Sequence, residues 1–134
     1  MNSTSFILLS GSLIITLAAC GKQFKSPPAY FEMWQKPGAS ELDTKIAVLE
    51  CGYQTPYSGF EEDRDINKRA LRQLCMLKNG FIYEPRSITF CRSSPNLDAC
   101  KPENAGAIPD RDISRRLNAP FCKQSAHTNF PECK

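Results

Sequence analysis

The chain has 134 residues, 41% of them hydrophobic and 23% charged, which is the length and composition of one domain able to bury a core. A single His excludes a metal hydrolase built on paired His ligands. A net charge of +3 is modest and suits anionic headgroups or acidic partners.

The charge is not spread evenly. Residues 1–21 hold no Lys, Arg, Asp, Glu or His, so all 17 basic and 14 acidic residues follow from Lys22 onward. Within that neutral stretch an apolar run covers residues 6–19, broken by Ser10, Gly11, Ser12 and Thr16. As a helix it would reach about 21 Å. A bilayer core asks for about 30 Å. The length fits the hydrophobic region of an export signal better than a spanning helix.

The run ends in Leu17-Ala18-Ala19-Cys20. This resembles the lipobox of bacterial lipoproteins, in which a Leu and two small residues precede a lipidated Cys. The resemblance implies cleavage between Ala19 and Cys20, a diacylglyceryl group on the Cys20 sulfur, and acylation of the new amine with a palmitate-type chain. Two or more acyl chains hold a protein on a membrane stably, where one holds it marginally. Residues 1–5 lack the Lys or Arg that usually precedes such a run. The alternative is an ordinary secretory signal with a chance Cys. Asp after the lipidated Cys marks inner-membrane retention in that family. Gly21 stands there here, so the resemblance implies the outer membrane, facing the periplasm or the cell surface. The expected organisation is a signal peptide over 1–19, lipidated Cys20 with a tether to residue 29, and one disulfide-rich domain over 30–134.

Tyr30, Phe31, Met33 and Trp34 form an aromatic group before Lys36-Pro37-Gly38, which is turn chemistry. They are expected to pack over the next helix; the alternative is an exposed patch near the membrane. Ser40-Glu41-Leu42-Asp43 predicts a helix start, with Ser40 as cap and two acids in the first turn. That helix should run to about Glu50, bury Leu42, Ile46 and Leu49, and stop at Cys51-Gly52.

Residues 54–62 read as a loop. A second helix should start at Asp63 or Asp65, bury Ile66, Ala70, Leu74 and Leu77, and end at Asn79-Gly80. The two helices are expected to form an α-hairpin. Short strands are expected at Phe81-Ile82-Tyr83 and over 87–90. The rest of 86–109 reads as irregular, with a short third helix over 110–118 and an irregular tail. The expected fold class is therefore a small α-rich, disulfide-stabilised domain: a helical hairpin plus an irregular Cys-rich C-terminal half with little β.

With Cys20 assigned to lipid, six Cys remain: Cys51, Cys75, Cys91, Cys100, Cys122 and Cys133. Behind an export signal they predict three disulfides. No Cys-x-x-Cys occurs and the shortest spacing is Cys91 to Cys100, so neither a metal site nor a thioredoxin-like redox site is expected. Asp63-Arg64-Asp65-Ile66 is echoed by Asp110-Arg111-Asp112-Ile113, each Ile nine residues before a Cys. A duplicated unit would favour Cys51–Cys75, Cys100–Cys122 and Cys91–Cys133. The rival pairing joins Cys91–Cys100 and Cys122–Cys133. Cys51–Cys75 belongs to both, and a loop of that size stabilises by about 3 kcal/mol in the chain-entropy model.

Cys51-Gly52-Tyr53, Cys75-Met76 and Gly80-Phe81 together resemble small Cys-containing envelope lipoproteins of Gram-negative bacteria. That resemblance implies no active site. No Gly-rich phosphate loop, His-Glu-x-x-His or Gly-x-Ser-x-Gly pattern is present. His127 is expected to be a solvated loop residue. Glu61, Glu62, Asp63 and Asp65 cluster as a carboxylate group, for which a solvated helix start is the favoured reading over acid–base chemistry. No catalysis, cofactor or metal is expected. The partners expected are the membrane, through the lipid, and an envelope protein; the export signal argues against nucleic acid. The first functional expectation is a structural or interaction lipoprotein, and the alternative is a periplasmic inhibitor or immunity lipoprotein against a toxin or cell-wall hydrolase.

Overall fold

In a computed structural model, which describes residues 26–59 and 64–134, the first long helix begins where the sequence places it. Helix α1 covers Glu41–Glu50. The Ser40 hydroxyl accepts from the Asp43 amide at 3.1 Å, and the Asp43 carboxylate accepts from the Ser40 amide at 2.9 Å. This reciprocal capping box satisfies two donors that the helix leaves open. Helix α2 covers Ile66–Lys78 and is capped by Asp65, which accepts from the amides of Asn67 and Lys68.

Both helices stop in the same way. Gly52 and Gly80 adopt φ of +94° and +81°, the left-handed region that glycine enters without steric cost. In each, two closing bonds form the Schellman pattern: Gly52 N–H to Leu49 O with Tyr53 N–H to Val48 O, and Gly80 N–H to Leu77 O with Phe81 N–H to Met76 O. The chain then turns Tyr53 and Phe81 inward, and both are buried.

Those two rings join the main core. A 3-10 turn at Tyr30–Met33 leads into strand β1, Trp34–Gln35, which pairs antiparallel with β2, Ile82–Tyr83. Tyr30, Phe31, Trp34, Tyr53, Phe81 and Tyr83 pack with Ala47, Val48, Met76 and the Cys51–Cys75 disulfide. The aromatic group at 30–34 is therefore interior, as expected. The Tyr30 hydroxyl donates to that of Tyr53 at 2.9 Å, so the buried phenols satisfy each other. Each large side chain buried this way contributes about 1.5–3 kcal/mol.

The C-terminal half forms a second, smaller core. Helix α3 covers Phe90–Ser93, α4 Ile113–Asn118 and α5 Pro120–Lys123, with 3-10 turns at Arg86–Ile88, Asp98–Cys100, Pro102–Ala107 and Pro131–Cys133. Leu49 on α1 reaches into this half and packs with Ala119, Phe121, Cys122 and Cys133. Backbone neighbours of α1 are α4, the turn at 30–33 and the turn at 131–133, whereas α2 lies against the turn at 98–100 and α3. The two long helices are tied through Cys51–Cys75 and meet in the aromatic core rather than along their whole lengths. The result is a small α-rich domain held by disulfides.

Several details differ from the sequence reading. The inward face of α1 is Thr44, Ala47, Val48 and Leu49, while Leu42 is exposed. That of α2 is Ala70, Gln73, Cys75 and Met76, while Ile66 and Leu77 lie out. The Cys51–Cys75 bond ties the end of α1 to α2 and turns that side of each helix inward. Residues 87–90 are helical turns, not a strand: Pro85 starts the 3-10 turn and Gln73 Oε1 accepts from the Phe90 amide at 2.6 Å. The third helix ends at Asn118 as expected but starts at Ile113, and Pro120 then opens α5, at a position where its missing N–H costs nothing.

The six Cys among the described residues form Cys51–Cys75, Cys91–Cys100 and Cys122–Cys133. The duplication pairing is thus overturned for two of the three. The Asp-Arg-Asp-Ile echo has a local cause instead. Asp65 and Asp112 are both N-caps, the latter accepting from the Ser114 amide at 2.8 Å, so the shared motif is a helix start used twice.

Candidate functional site

The residues singled out by sequence do not gather into one site. Cys20, the 1–19 signal and the carboxylates Glu61, Glu62 and Asp63 lie outside the described residues. Asp65 is committed to capping α2. The six remaining Cys are consumed in disulfides and offer no thiolate. Among the described residues, no three His, Cys, Asp or Glu lie together in a way that could hold a metal ion.

His127 is not the solvated loop residue expected. Its half-buried ring stacks against both Phe121 and Phe130, at centroid distances of 4.2 and 4.9 Å, in a three-ring cluster, and its Nδ1 lies 2.9 Å from the Phe121 carbonyl oxygen. It closes the Cys122–Cys133 loop from within. The Phe residues at 121 and 130 flank it in sequence, which is the only signal that could have placed it there.

Two buried carboxylates hold the C-terminal half in position. Glu50, at the end of α1, meets Arg111 Nε at 2.8 Å and Arg116 Nε at 3.3 Å. Glu132 accepts from the Tyr57 hydroxyl at 3.1 Å, and Arg116 in turn donates to the carbonyls of Glu132 and Lys134. Both carboxylates are taken up by partners within the domain, although Arg116 Nε faces Glu50 as an ion pair without a hydrogen bond, and this makes them structural.

The strongest candidate for binding lies where α1 ends. A cavity of about 320 Å³ opens beside Gly52 and the Cys51 end of the first disulfide. Lys68 and Arg72 project into it from α2, one turn apart, and Arg115 enters from α4. Leu71, Ala107 and Pro109 form its apolar wall. A Cβ on Gly52 would meet Arg115 Cδ at 3.6 Å and Arg72 Nε at 3.7 Å, so both arginines lie directly over this glycine. Arg115 is fixed there because its Nη1 donates to the carbonyls of Glu50 and Asp110, at 3.2 and 2.8 Å. Burial lowers the Arg72 pKa from its ordinary value, the mark of a guanidinium drawn out of water. The chemistry of such a pocket is recognition of an anion, through fixed N–H donors and full positive charge. Spacing on α2 shows two of the three cations, since i and i+4 share a helix face. Arg115 lies 43 positions beyond Arg72 and only the fold brings it in.

A second cavity, of about 330 Å³, lies on the other side of α2 among Tyr30, Met33, Tyr83 and Phe90. Its one cation, Arg69, is spread over the Phe90 ring at 5.2 Å and its amide, Gln73, is bonded to the Phe90 backbone.

No family model matches this chain, and no curated protein and no solved structure matches it either.

Proposed function

We propose that the protein is a lipid-anchored lipoprotein of the bacterial envelope, attached through Cys20, whose disulfide-stapled domain works by binding rather than by catalysis. The observation that carries this reading is Leu17-Ala18-Ala19-Cys20 at the end of a neutral, apolar run too short to span a bilayer. Three disulfides in the domain agree with it, because such bonds persist in oxidising compartments. The Lys22 to Ala29 segment, with Pro27 and Pro28, then serves as the tether between bilayer and domain. Gly21 in place of Asp favours the outer membrane under the same resemblance. The binding role rests on the basic cavity at Gly52 and on the mutual occupation of the buried carboxylates.

The deciding experiment is an intact mass of the protein purified from envelope membranes, before and after reduction. The expected result is a chain beginning at Cys20, carrying acyl chains, and gaining six hydrogens on reduction. A soluble product beginning elsewhere would overturn the anchor.

A further inference from the structure

Lys68 and Arg72 are like charges at i and i+4 on α2, an arrangement that weakens a helix rather than stabilising it. Arg115 brings a third positive charge to the same cavity from α4. Arg115 is placed by its bonds to the carbonyls of Glu50 and Asp110, and the fold thereby sets all three positive charges beside one cavity. None of the described residues lining the cavity is acidic.

We propose that this cavity is a binding site for the phosphate group of an organic phosphate ester. Three cations arriving from two helices suit a tetrahedral anion with several free oxygens better than a carboxylate, which presents two. Arg115 is preorganised by its two carbonyl partners, so little side-chain freedom is lost when the anion enters. The wall formed by Leu71 and Pro109 gives the ester's organic part an apolar surface. The volume stands at the lower end of the range for small-molecule sites, about 300–1,000 Å³. Gly52 leaves the floor without a side chain, and a Cβ there would only reach ordinary contact with Arg115 and Arg72. The phosphate can come from a lipid headgroup or from a soluble ester. The site does not depend on Cys20, so it stands or falls apart from the anchor.

The test is calorimetry on the purified, oxidised full chain in a non-ionic detergent, with glycerol phosphate and short-chain phosphatidic acid as probes. The expected result is saturable one-to-one binding that Lys68→Glu and Arg115→Gln each weaken at least tenfold. Lys101→Glu, an equal charge change outside the cavity, should leave the affinity within twofold of the parent. Lys68 is exposed on α2, so its variant keeps the fold even if Arg115→Gln does not. A preference of tenfold or more for the phosphatidic acid assigns the site to a lipid headgroup, and equal affinities assign it to a soluble ester. Absence of saturable binding by either probe, or an equal loss in Lys101→Glu, overturns the proposal.

Discussion

Gly52 and Gly80 are structural counterparts: each sits in the left-handed region just past a long helix, and each delivers the next aromatic residue, Tyr53 or Phe81, into the same core. The helix ends are therefore part of how the core is assembled. Every other residue type meets a steric penalty in this region of about 1–2 kcal/mol, with Asn the mildest. Both sites have space, since a Cβ would find only ordinary contacts, with Arg115 and Arg72 at one and Lys36 at the other. Gly52→Ala and Gly80→Ala should thus each cost about 1–2 kcal/mol in urea unfolding, and Gly→Asn at either position should cost less than Ala. An Ala variant as stable as the parent would refute the left-handed assignment.

Gly59 gives a different prediction. A Cβ there would fall on the edge of the Tyr30 ring, inside any real contact distance. Tyr30 is held by its bond to Tyr53 and by the backbone bond from its amide to Tyr57 O, so it cannot yield freely. Gly59→Ala should destabilise by about 1–3 kcal/mol through overpacking. Tyr30→Leu in the same chain should recover part of the loss, which a double-mutant cycle would read.

Glu50 carries the junction between the two cores. Its carboxylate is almost fully enclosed and faces two guanidinium groups, of which Arg116 is buried and Arg111 is 30% exposed. Removing the carboxylate leaves Arg116 enclosed without its ion-pair partner. Glu50→Ala should therefore cost about 3–5 kcal/mol, the range for breaking a buried pair from one side. Arg111→Ala, more open to water, should cost about 1 kcal/mol or less. Chemical denaturation of both variants checks the order, and a larger loss in Arg111→Ala would sink the argument.

The readable parts of this fold are those decided locally. Ser40, Asp43, Gly52, Asp65 and Gly80 announce the two helices because capping and left-handed turns are local chemistry. The rotation of the helices was not readable from periodicity. Leu42, Ile66 and Leu77 match the helical spacing, yet Cys51 and Cys75 set the inward faces through a bond between distant positions. The pairing of the other four Cys stays open between two schemes in the sequence for a related reason, and the one that joins neighbours is the one that forms. A repeated Asp-Arg-Asp-Ile motif marked two helix starts and carried no information about which sulfurs approach. Of the basic cavity, the i, i+4 spacing puts Lys68 and Arg72 on one face of α2 but marks no site, while Arg115 depends on how α4 docks against α1. His127 looked solvated because nothing in a lone His shows the rings that enclose it.

Acid and alkali should each destabilise the domain through identifiable groups. Hydrogen bonds from Ser40 and Ser114 hold the carboxyls of Asp43 and Asp112 below the usual carboxylate range, and Lys78 does the same for Asp110. A depressed folded-state value contributes stability above the unfolded value, near 4, that is lost as pH falls through the folded value. The thermal midpoint should therefore fall below about pH 4, and Asp43→Asn with Asp112→Asn should flatten that limb. At the other end, burial pushes the Tyr30 phenol up to about 12 and raises that of Tyr53 as well. A raised folded-state value gives stability that is complete below the unfolded value, near 10, and is lost as pH rises through the folded value. The signals of Tyr30 and Tyr53 ionisation should appear only together with loss of tertiary structure. Tyrosinate absorbance that reached all four Tyr residues of the sequence while near-ultraviolet circular dichroism stayed native would contradict the burial of this pair.

The disulfides should separate by accessibility. Cys51 and Cys75 are buried to about 1% exposure or less and join positions 24 apart, whereas Cys91 and Cys100 are only half-buried and join positions 9 apart. A mild reductant should open Cys91–Cys100 first, because its sulfurs are the easier to reach. Loss of that bond removes a short loop constraint, worth about 2.5 kcal/mol in the chain-entropy model. Loss of Cys51–Cys75 removes more, about 3–3.5 kcal/mol by the same model, and also leaves two thiols or hydroxyls in the main core. Cys51→Ser with Cys75→Ser should therefore destabilise more than Cys91→Ser with Cys100→Ser, as read by thermal midpoints under non-reducing conditions. Timed alkylation with peptide mapping reports the order of opening. Simultaneous labelling of Cys51 and Cys91 would mean that the domain unfolds as a whole before any single bond is reached.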